Sequence, residues 1–184
     1  MNTHKFDVTK LDKLNNPERL NLIDLDVIIE KLNLPSNSII VDIGIGTGIF
    51  SENFLTKLPD SKCFGFDISE NMIEWVNKNR KDALNGRLSA TIMNENHIPL
   101  AENTADFVFM ITVHHELKEP VKLLRDIKRI LNDNGKLLIC DWKEGMHNHF
   151  VKKESIIHDL KEAGFNTIQE VTNFDKLICL ISNI

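Results

Sequence analysis

The stretch Ile39-Ile40-Val41-Asp42-Ile43-Gly44-Ile45-Gly46-Thr47-Gly48-Ile49-Phe50 decides the fold of this chain. It begins as an apolar run of strand-forming residues closed by an acid, which predicts a strand buried on both faces of a parallel sheet. Its three alternate glycines permit a tight turn and let a ligand approach the backbone, because no Cβ blocks either. A helix that begins near Thr47 would point its free N–H groups into that turn. The stretch therefore predicts a nucleotide-type cleft.

The spacing of the glycines indicates which kind of nucleotide the cleft binds. The dinucleotide fingerprint requires glycine or alanine at position 49, where this chain has Ile49. The next strand, residues 62–66, ends at Asp67, which follows Gly44 by 23 residues. An acid there accepts hydrogen bonds from ribose hydroxyls, but NAD sites share this acid. The glycine spacing, and not Asp67, therefore disfavours an NAD-type oxidoreductase.

Two motifs carry a resemblance to a known family. Val41–Gly48 and Gly65–Ser69 resemble the first and second motifs of the class I S-adenosylmethionine-dependent methyltransferases, most closely a short, methyltransferase-type-11-like subgroup. The strand–helix alternation along the chain also predicts a doubly wound α/β fold. The resemblance implies a Rossmann-like, seven-stranded, mostly parallel sheet of order 3-2-1-4-5-7-6, with the last strand antiparallel and helices on both faces. It also implies S-adenosylmethionine as cofactor.

The resemblance implies a set of cofactor-binding residues at the ends of the first four strands. They are Asp42, Gly44, Gly46, Thr47, Gly48, Asp67, Ile68, Asn94, Glu95 and Thr112. Many relatives carry an acid at the position of Asn94, where the adenine amine is bound. Because an amide oxygen and a carboxylate can both accept from that amine, Asn94 and Glu95 are both expected partners.

Two further strand ends carry candidate catalytic residues, since ligands bind outside the carboxyl ends of strands in open α/β sheets. The family often has a histidine after the fourth strand, facing the transferred methyl group. This implies His115 as a pocket residue or general base, with Asp141 after the fifth strand as the other candidate; a structural role for His115 is an equal alternative. If residues 114 and 115 continue a strand, they face opposite sides, so no metal site is expected.

The first 35 residues are predicted to form an arm and a helix that begins at Asn16-Pro17 and ends before Pro35. Residues 5–20 resemble a family leader that folds over the cofactor, which makes this arm a candidate lid. A helix that only packs on the sheet is the alternative.

Further helices are predicted at 47–58 and 118–131, and the fifth strand at 136–140. Residues 1–184 are predicted to form a single domain.

Composition narrows the class of protein. The chain has 184 residues, a formal net charge of −5 and 42% hydrophobic residues, which is ordinary for one globular domain. Its acidity argues against nucleic acid as a partner, so a small-molecule methyl acceptor is expected. No apolar run approaches the ~20 residues of a membrane helix, and the N-terminus has no signal-peptide core. Three cysteines in apolar runs are expected to be buried thiols, which favours the cytoplasm.

A non-catalytic alternative remains open from the sequence. A short chain without an inserted substrate domain is also typical of a regulatory or partner domain that binds S-adenosylmethionine without turnover. The sequence identifies neither the acceptor nor the oligomeric state. Methylation of arsenite, which requires exposed cysteines, is disfavoured by the buried positions expected for Cys63, Cys140 and Cys179.

Overall fold

In the computed structural model of the protein, the described residues are 11–80 and 84–184. The first part of the predicted leader, including Lys5-Phe6-Asp7, lies outside them. The helices are α1 (Leu11–Leu14), α2 (Leu25–Leu32), α3 (Ile49–Lys57), α4 (Glu70–Asn79), α5 (Pro120–Ile130) and α6 (Lys153–Ala163). The strands are β1 (Ile39–Ile43), β2 (Lys62–Asp67), β3 (Leu88–Ile92), β4 (Ala105–Ile111), β5 (Leu131–Trp142), β6 (Thr167–Val171) and β7 (Leu177–Asn183). Two 3₁₀ helices span Pro17–Leu22 and His114–Glu116.

The seven strands form one sheet of order β3-β2-β1-β4-β5-β7-β6. Strand β7 runs antiparallel to both of its neighbours, β5 and β6, and the pairs among β1 to β5 are parallel. The predicted fold class and strand order are therefore confirmed. The order reverses beside β1, because β2 and β4 flank it, and ligands of doubly wound sheets bind at such a point.

Hydrophobic cores cover both faces of the sheet. On one face, Phe54 of α3 lies against Phe107 and Phe109 of β4, with ring centroids 5.3 and 4.8 Å apart. On the other face, α5 and α6 bury Ile127 and Leu160 against the sheet. This two-sided burial explains why β1, β4 and residues 137–140 of β5 are nearly continuous apolar runs. In the described part of the chain, no helix has both the length and the apolar character needed to cross a membrane.

The three cysteines are free and buried, as the sequence predicts. Cys140 of β5 lies opposite Cys179 of β7 in the antiparallel register, and Cys63 lies on β2. Burial raises the pKa of the Cys63 and Cys140 thiols. Protonated, buried thiols are weak nucleophiles, so these two side chains contribute packing to the core.

The prediction of one continuous N-terminal helix from Asn16-Pro17 to Pro35 is wrong, because the structure has two separate helices there. Asn16 does cap the first turn, where its side chain accepts from the Glu18 backbone N–H at 2.9 Å. The 3₁₀ helix then ends, and Ile23 is extended. Asp24 begins α2 by accepting from the backbone N–H groups of Asp26 and Val27, which is the bonding pattern of an N-cap. Residues 11–24, called the leader segment below, are therefore separate from α2.

The predicted boundary between α5 and β5 is also wrong. The helix ends at Ile130, and β5 begins at Leu131, five residues before the predicted start of the strand. The strand starts early because Leu131 already pairs with Ala105 of β4, and Asn132 donates to the Asp106 carboxylate at 2.6 Å beside this pair. The register then shifts between Ala105 and Phe107, so the Asn-Gly turn signal lies within an irregular strand.

The turn after β1 depends on a glycine at position 44. Gly44 has φ +73°, and a Cβ added there would lie 2.5 Å from Cγ2 of Val113. Gly86 has a similar φ of +71°, but a Cβ there would meet nothing within 4 Å. The two positions therefore share the backbone cost of a left-handed residue and differ in the steric clash.

We expect Gly44→Ala to lower the free energy of unfolding by more than Gly86→Ala. The second substitution costs about 1–2 kcal/mol from backbone conformation alone, and the first adds the displacement of Val113. Urea denaturation of both variants measures the difference. Equal losses would contradict a role for close packing between the turn and Val113.

Candidate functional site

A cleft lies at the carboxyl ends of β1, β2 and β4, at the point where the strand order reverses. Its cavity volume is about 190 Å³. The glycine turn forms its floor, because the backbone N–H groups of Gly44 and Ile45 donate to the Phe66 carbonyl at 2.8 and 3.0 Å. These bonds hold the turn against the end of β2. The predicted motifs of β1 and β2 are thereby brought together.

Asp67 is fixed at the end of β2 by backbone donors. Its Oδ2 accepts from the Gly46 N–H at 3.0 Å, and its Oδ1 accepts from the Ser69 N–H at 2.9 Å. Burial raises the pKa of Asp67, while these hydrogen bonds act in the opposite direction. Because each carboxylate oxygen can accept more than one hydrogen bond, Asp67 retains acceptor capacity toward the cleft that it lines.

Asp42, the acid of the first motif, is almost fully buried in the cleft wall. It accepts a hydrogen bond from Ser51 Oγ at 2.6 Å. Burial raises the pKa of Asp42 to about 7, the charge of Asp67 also raises it, and the Ser51 hydrogen bond lowers it. A carboxyl group in this state takes up or releases a proton near neutral pH, so its charge responds to a cation placed beside it.

Of the two residues expected to bind adenine, both of which follow β3, only Glu95 lines the cleft. Met93, Glu95 and Asn96 line it, and Asn94 does not. The Asn94 carbonyl instead accepts from the His97 N–H at 3.3 Å. Glu95 Oε1 accepts from Lys118 Nζ at 2.8 Å, and both side chains are more than half exposed at the rim.

Thr112 and Arg19 meet at the opposite end of the cleft. Thr112 has a positive φ of +59°, and its Oγ1 accepts from Arg19 Nη2 at 3.0 Å. The guanidinium lies over the ring of Phe50, 5.7 Å from the centroid. Arg19 Nε is buried and has no hydrogen-bond partner among the described residues. Burial lowers the pKa of Arg19, which signals a cation without a compensating anion.

The leader segment covers the glycine turn. Thr47 Oγ1 donates to the Leu14 carbonyl at 3.1 Å, and Leu14 lines the cleft. Arg80, at the end of α4, bonds the Thr47 carbonyl, the Glu52 carboxylate and the side chain of Asn15. Sequence reasoning missed Arg80 because its partners come from three separate segments. Gly48 does not line the cleft and lies against Arg80 instead.

His115 and Asp141 form a hydrogen-bonded pair behind the cleft wall. Asp141 is fully buried and accepts from the His115 backbone N–H at 2.9 Å and from the Trp142 N–H at 2.7 Å. His115 Nδ1 lies 2.7 Å from Asp141 Oδ1. Neither residue lines the cleft, but Glu116 does, and its Oε1 lies 3.8 Å from His115 Nε2. Burial lowers the pKa of His115, but the charges of Asp141 and Glu116 outweigh it and raise the pKa above its ordinary value.

The expectation that His114 and His115 lie on a strand is wrong, because they begin a 3₁₀ helix. Each histidine nevertheless has its own aspartate. His114 Nε2 lies 3.1 Å from Asp159 of α6, and burial lowers the pKa of His114. Among the residues that the structure describes, no group of three or more histidine, cysteine or acidic side chains could hold a metal ion.

Comparison with known proteins places this geometry in a family. The family model described as methyltransferase domain matches residues 41–139. A crystal structure of an S-adenosylmethionine-dependent methyltransferase from Aquifex aeolicus is 28% identical, with a TM-score of 0.85, over 97% of this chain and 98% of that one. A second structure, of a putative S-adenosylmethionine-dependent methyltransferase from Methanococcus maripaludis, is 21% identical with a TM-score of 0.77, over 100% and 96%.

The curated relatives are longer proteins. Malonyl-[acyl-carrier protein] O-methyltransferase from Methylococcus capsulatus is 22% identical over 151 residues, which cover 73% of this chain and 54% of that protein. The chain spans about half the length of such relatives. The cleft residues also fit the cofactor of the family, since a buried guanidinium without an anion and a carboxylate at the end of β2 match a ligand with a carboxylate and ribose hydroxyls. The chain therefore belongs to the methyltransferase domain family, among the S-adenosylmethionine-dependent methyltransferases, and S-adenosylmethionine is its cofactor.

Proposed function

We propose that the chain transfers the methyl group of S-adenosylmethionine to a small-molecule acceptor. The observation that carries this proposal is the Asp67 carboxylate, fixed beside the glycine turn by the backbone N–H groups of Gly46 and Ser69. Such a carboxylate is suited to accept hydrogen bonds from the two hydroxyls of a ribose. The formal net charge of −5 disfavours a nucleic acid as the acceptor, which supports a small molecule.

Other residues that line the cleft are suited to bind the adenine and the backbone of the cofactor. Glu95 is the better candidate for the adenine amine, because it lines the cleft and Asn94 does not. Ile68 lies between Glu95 and the glycine turn in the cleft wall and is suited to pack on the adenine ring. The backbone of Gly44 and Gly46 lets the cofactor approach closely, as the sequence predicts.

Arg19 is suited to bind the methionine carboxylate of the cofactor. Its buried Nε lacks a hydrogen-bond acceptor among the described residues, and a carboxylate pairs with guanidinium in a bidentate manner. Asp42, with a pKa raised by burial to about 7, provides a matching partner for the ammonium group. Because Arg19 belongs to the leader segment, this assignment makes the leader a lid that closes over the cofactor. The lid predicted for the first 35 residues is thereby proposed for the leader segment alone, because α2 buries Ile28 and Leu32 in the core of the single domain that we propose.

The reaction requires little covalent chemistry from the protein. The sulfonium of the cofactor supplies an activated methyl group, and the chain positions the reactants and excludes water. An oxygen or nitrogen acceptor must also lose a proton. Asp141 has its oxygens engaged by His115 and Trp142, so it acts by orienting His115. Since Asp141 Oδ1 also accepts from Trp142, His115 Nδ1 donates to it, and Nε2 is left as the proton acceptor.

We place the protein in the cytoplasm, where three free buried thiols stay reduced. A domain that binds the cofactor without catalysis is the second candidate, and it is favoured by the observation that neither His115 nor Asp141 lines the cleft. Turnover to S-adenosylhomocysteine distinguishes the two functions directly.

Calorimetric titration with S-adenosylmethionine tests the cofactor site. We expect Asp67→Asn to weaken binding by about tenfold to a hundredfold, because it removes charged hydrogen bonds worth about 1.5–3 kcal/mol. Asp60→Asn, at an exposed position after α3, is the matched control and should bind as the original protein does. A folded protein that binds NAD and not S-adenosylmethionine would overturn the proposal.

The Asp141–His115 pair is tested by the titration of His115, followed by nuclear magnetic resonance. Because the Asp141 charge stabilises the imidazolium, we expect Asp141→Asn to lower the pKa of His115, so that the ring loses its proton at a lower pH. Asp159→Asn removes the partner of His114 and should change the His115 titration less. An unchanged His115 titration in Asp141→Asn would rule out Asp141 as the group that sets its basicity.

A further inference from the structure

An aromatic cluster lies beside the cofactor cleft, at the carboxyl ends of β4 and β5. It consists of Trp142, His147 and His115, and we call it the ring cluster. His147 stacks on Trp142 with ring centroids 5.1 Å apart and an angle of 18° between the planes. His115 meets the edge of His147 at 5.8 Å and 60°. His147 is exposed and comes from the loop between β5 and α6, whereas Trp142 is half-buried at the end of β5.

Glu116 joins the ring cluster to the cofactor cleft. It lines the cleft, and its Oε1 lies 3.8 Å from His115 Nε2. Because Asp141 binds both the ring Nδ1 and the backbone N–H of His115, Nε2 is the ring nitrogen that remains to take a proton. A flat molecule in the place of His147 would lie on Trp142 with the His115 ring about 5.8 Å from its centre.

We propose that Trp142 and His115 form the acceptor subsite, that its acceptor is a planar aromatic ring with an acidic hydroxyl, and that His147 occupies the place of this ring in the free protein. The inference rests on the proposed function, because it assigns the acceptor of that reaction. The stacked imidazole shows that the face of Trp142 accommodates a flat ring in an offset, nearly parallel arrangement, which aromatic pairs prefer.

The proton acceptor narrows the chemistry of the hydroxyl. General bases work best when the proton donor has a pKa not far above their own. A phenolic hydroxyl has a pKa of about 10, which is close enough to the pKa of an imidazole for proton transfer. The pKa of an aliphatic alcohol is far higher, so an imidazole is too weak a base for it. In the transfer, the phenolic oxygen bonds to the methyl carbon, the carbon–sulfur bond breaks with its electron pair on sulfur, and His115 Nε2 takes the proton. S-adenosylhomocysteine and an aryl methyl ether are the products.

The exposed loop makes displacement of His147 sterically feasible. Neighbouring loop residues Gly145 and Met146 are exposed, and Gly145 has φ +82°, a conformation that glycine adopts at no cost. His147 Nδ1 lies 2.9 Å from the His149 carbonyl oxygen and 3.2 Å from the His149 backbone nitrogen, and the two imidazole rings are 5.9 Å apart. Because these contacts are local to one exposed turn, the His147 ring can leave Trp142 together with that turn.

Catechol is the probe, and cyclohexane-1,2-diol is its non-aromatic match. Binding is measured by calorimetry in the presence of saturating S-adenosylhomocysteine, in Trp75→Phe protein, so that Trp142 is the sole tryptophan and its fluorescence reports the same event. We expect catechol to bind and quench Trp142, and the diol to bind at least tenfold more weakly. Equal binding of the two compounds, or no binding of catechol, would overturn the inference.

Variants of the ring cluster test whether His147 is displaced by the acceptor or is a permanent part of the subsite. Trp142→Leu should weaken catechol binding by about tenfold, the worth of one favourable aromatic pair. His147→Ala should strengthen catechol binding several-fold, because the competing ring is removed. Weaker binding in this variant would mean that His147 is a permanent part of the subsite and would overturn the proposed displacement.

His115→Gln should lower kcat for catechol methylation more than it changes KM, whereas an unchanged kcat would rule out His115 as the base.

The reference titration with S-adenosylhomocysteine alone keeps the two proposals distinguishable. If the protein binds this compound but not catechol, the acceptor assignment fails and the methyltransferase proposal stands. If the folded protein binds neither compound, the methyltransferase proposal itself fails. Retained binding of S-adenosylhomocysteine by Trp142→Leu and His147→Ala also shows that these variants are folded.

Discussion

The structure depends on the attachment of the glycine turn to the end of β2. The Phe66 carbonyl accepts from two successive N–H groups of the turn, and the Asp67 carboxylate accepts from a third, that of Gly46. These bonds join segments about 20 residues apart and fix the only sharp reversal between β1 and α3. Close packing of Gly44 on Val113 extends the same constraint to the end of β4. The cofactor cleft is the space that this arrangement leaves open.

Charged residues from distant segments then complete the cleft. Arg80 draws the leader segment, the glycine turn and α3 together, while Arg19 enters the cleft from the leader and bonds Thr112 at the end of β4. The two arginines differ in their partners. Each guanidinium nitrogen of Arg80 bonds a protein group, but Arg19 keeps a buried N–H without an acceptor among the described residues. This difference makes Arg80 a structural clamp and Arg19 the group suited to an anionic part of the ligand.

Local signals made the fold and half of the site predictable. Glycine spacing, strand composition and the acid at the end of β2 are encoded within short windows, so the strand order and Asp67 followed from the sequence by way of the family resemblance. Contacts between distant residues were not predictable. Arg19 and Thr112 are 93 positions apart, and Asn132 and Asp106, which bond near the start of β5, are 26 positions apart. The 3₁₀ turn at His114 was missed because a buried apolar strand precedes it without a turn signal.

A crystal structure of the protein with S-adenosylhomocysteine tests the central claim most directly. We expect the ribose hydroxyls within about 3 Å of the Asp67 carboxylate and the adenine beside Ile68 and Glu95. We expect the methionine carboxylate to pair with Arg19 under an ordered leader segment. A ligand bound with its ribose away from Asp67, or its carboxylate far from Arg19, would contradict the assignment of the cleft and of the lid.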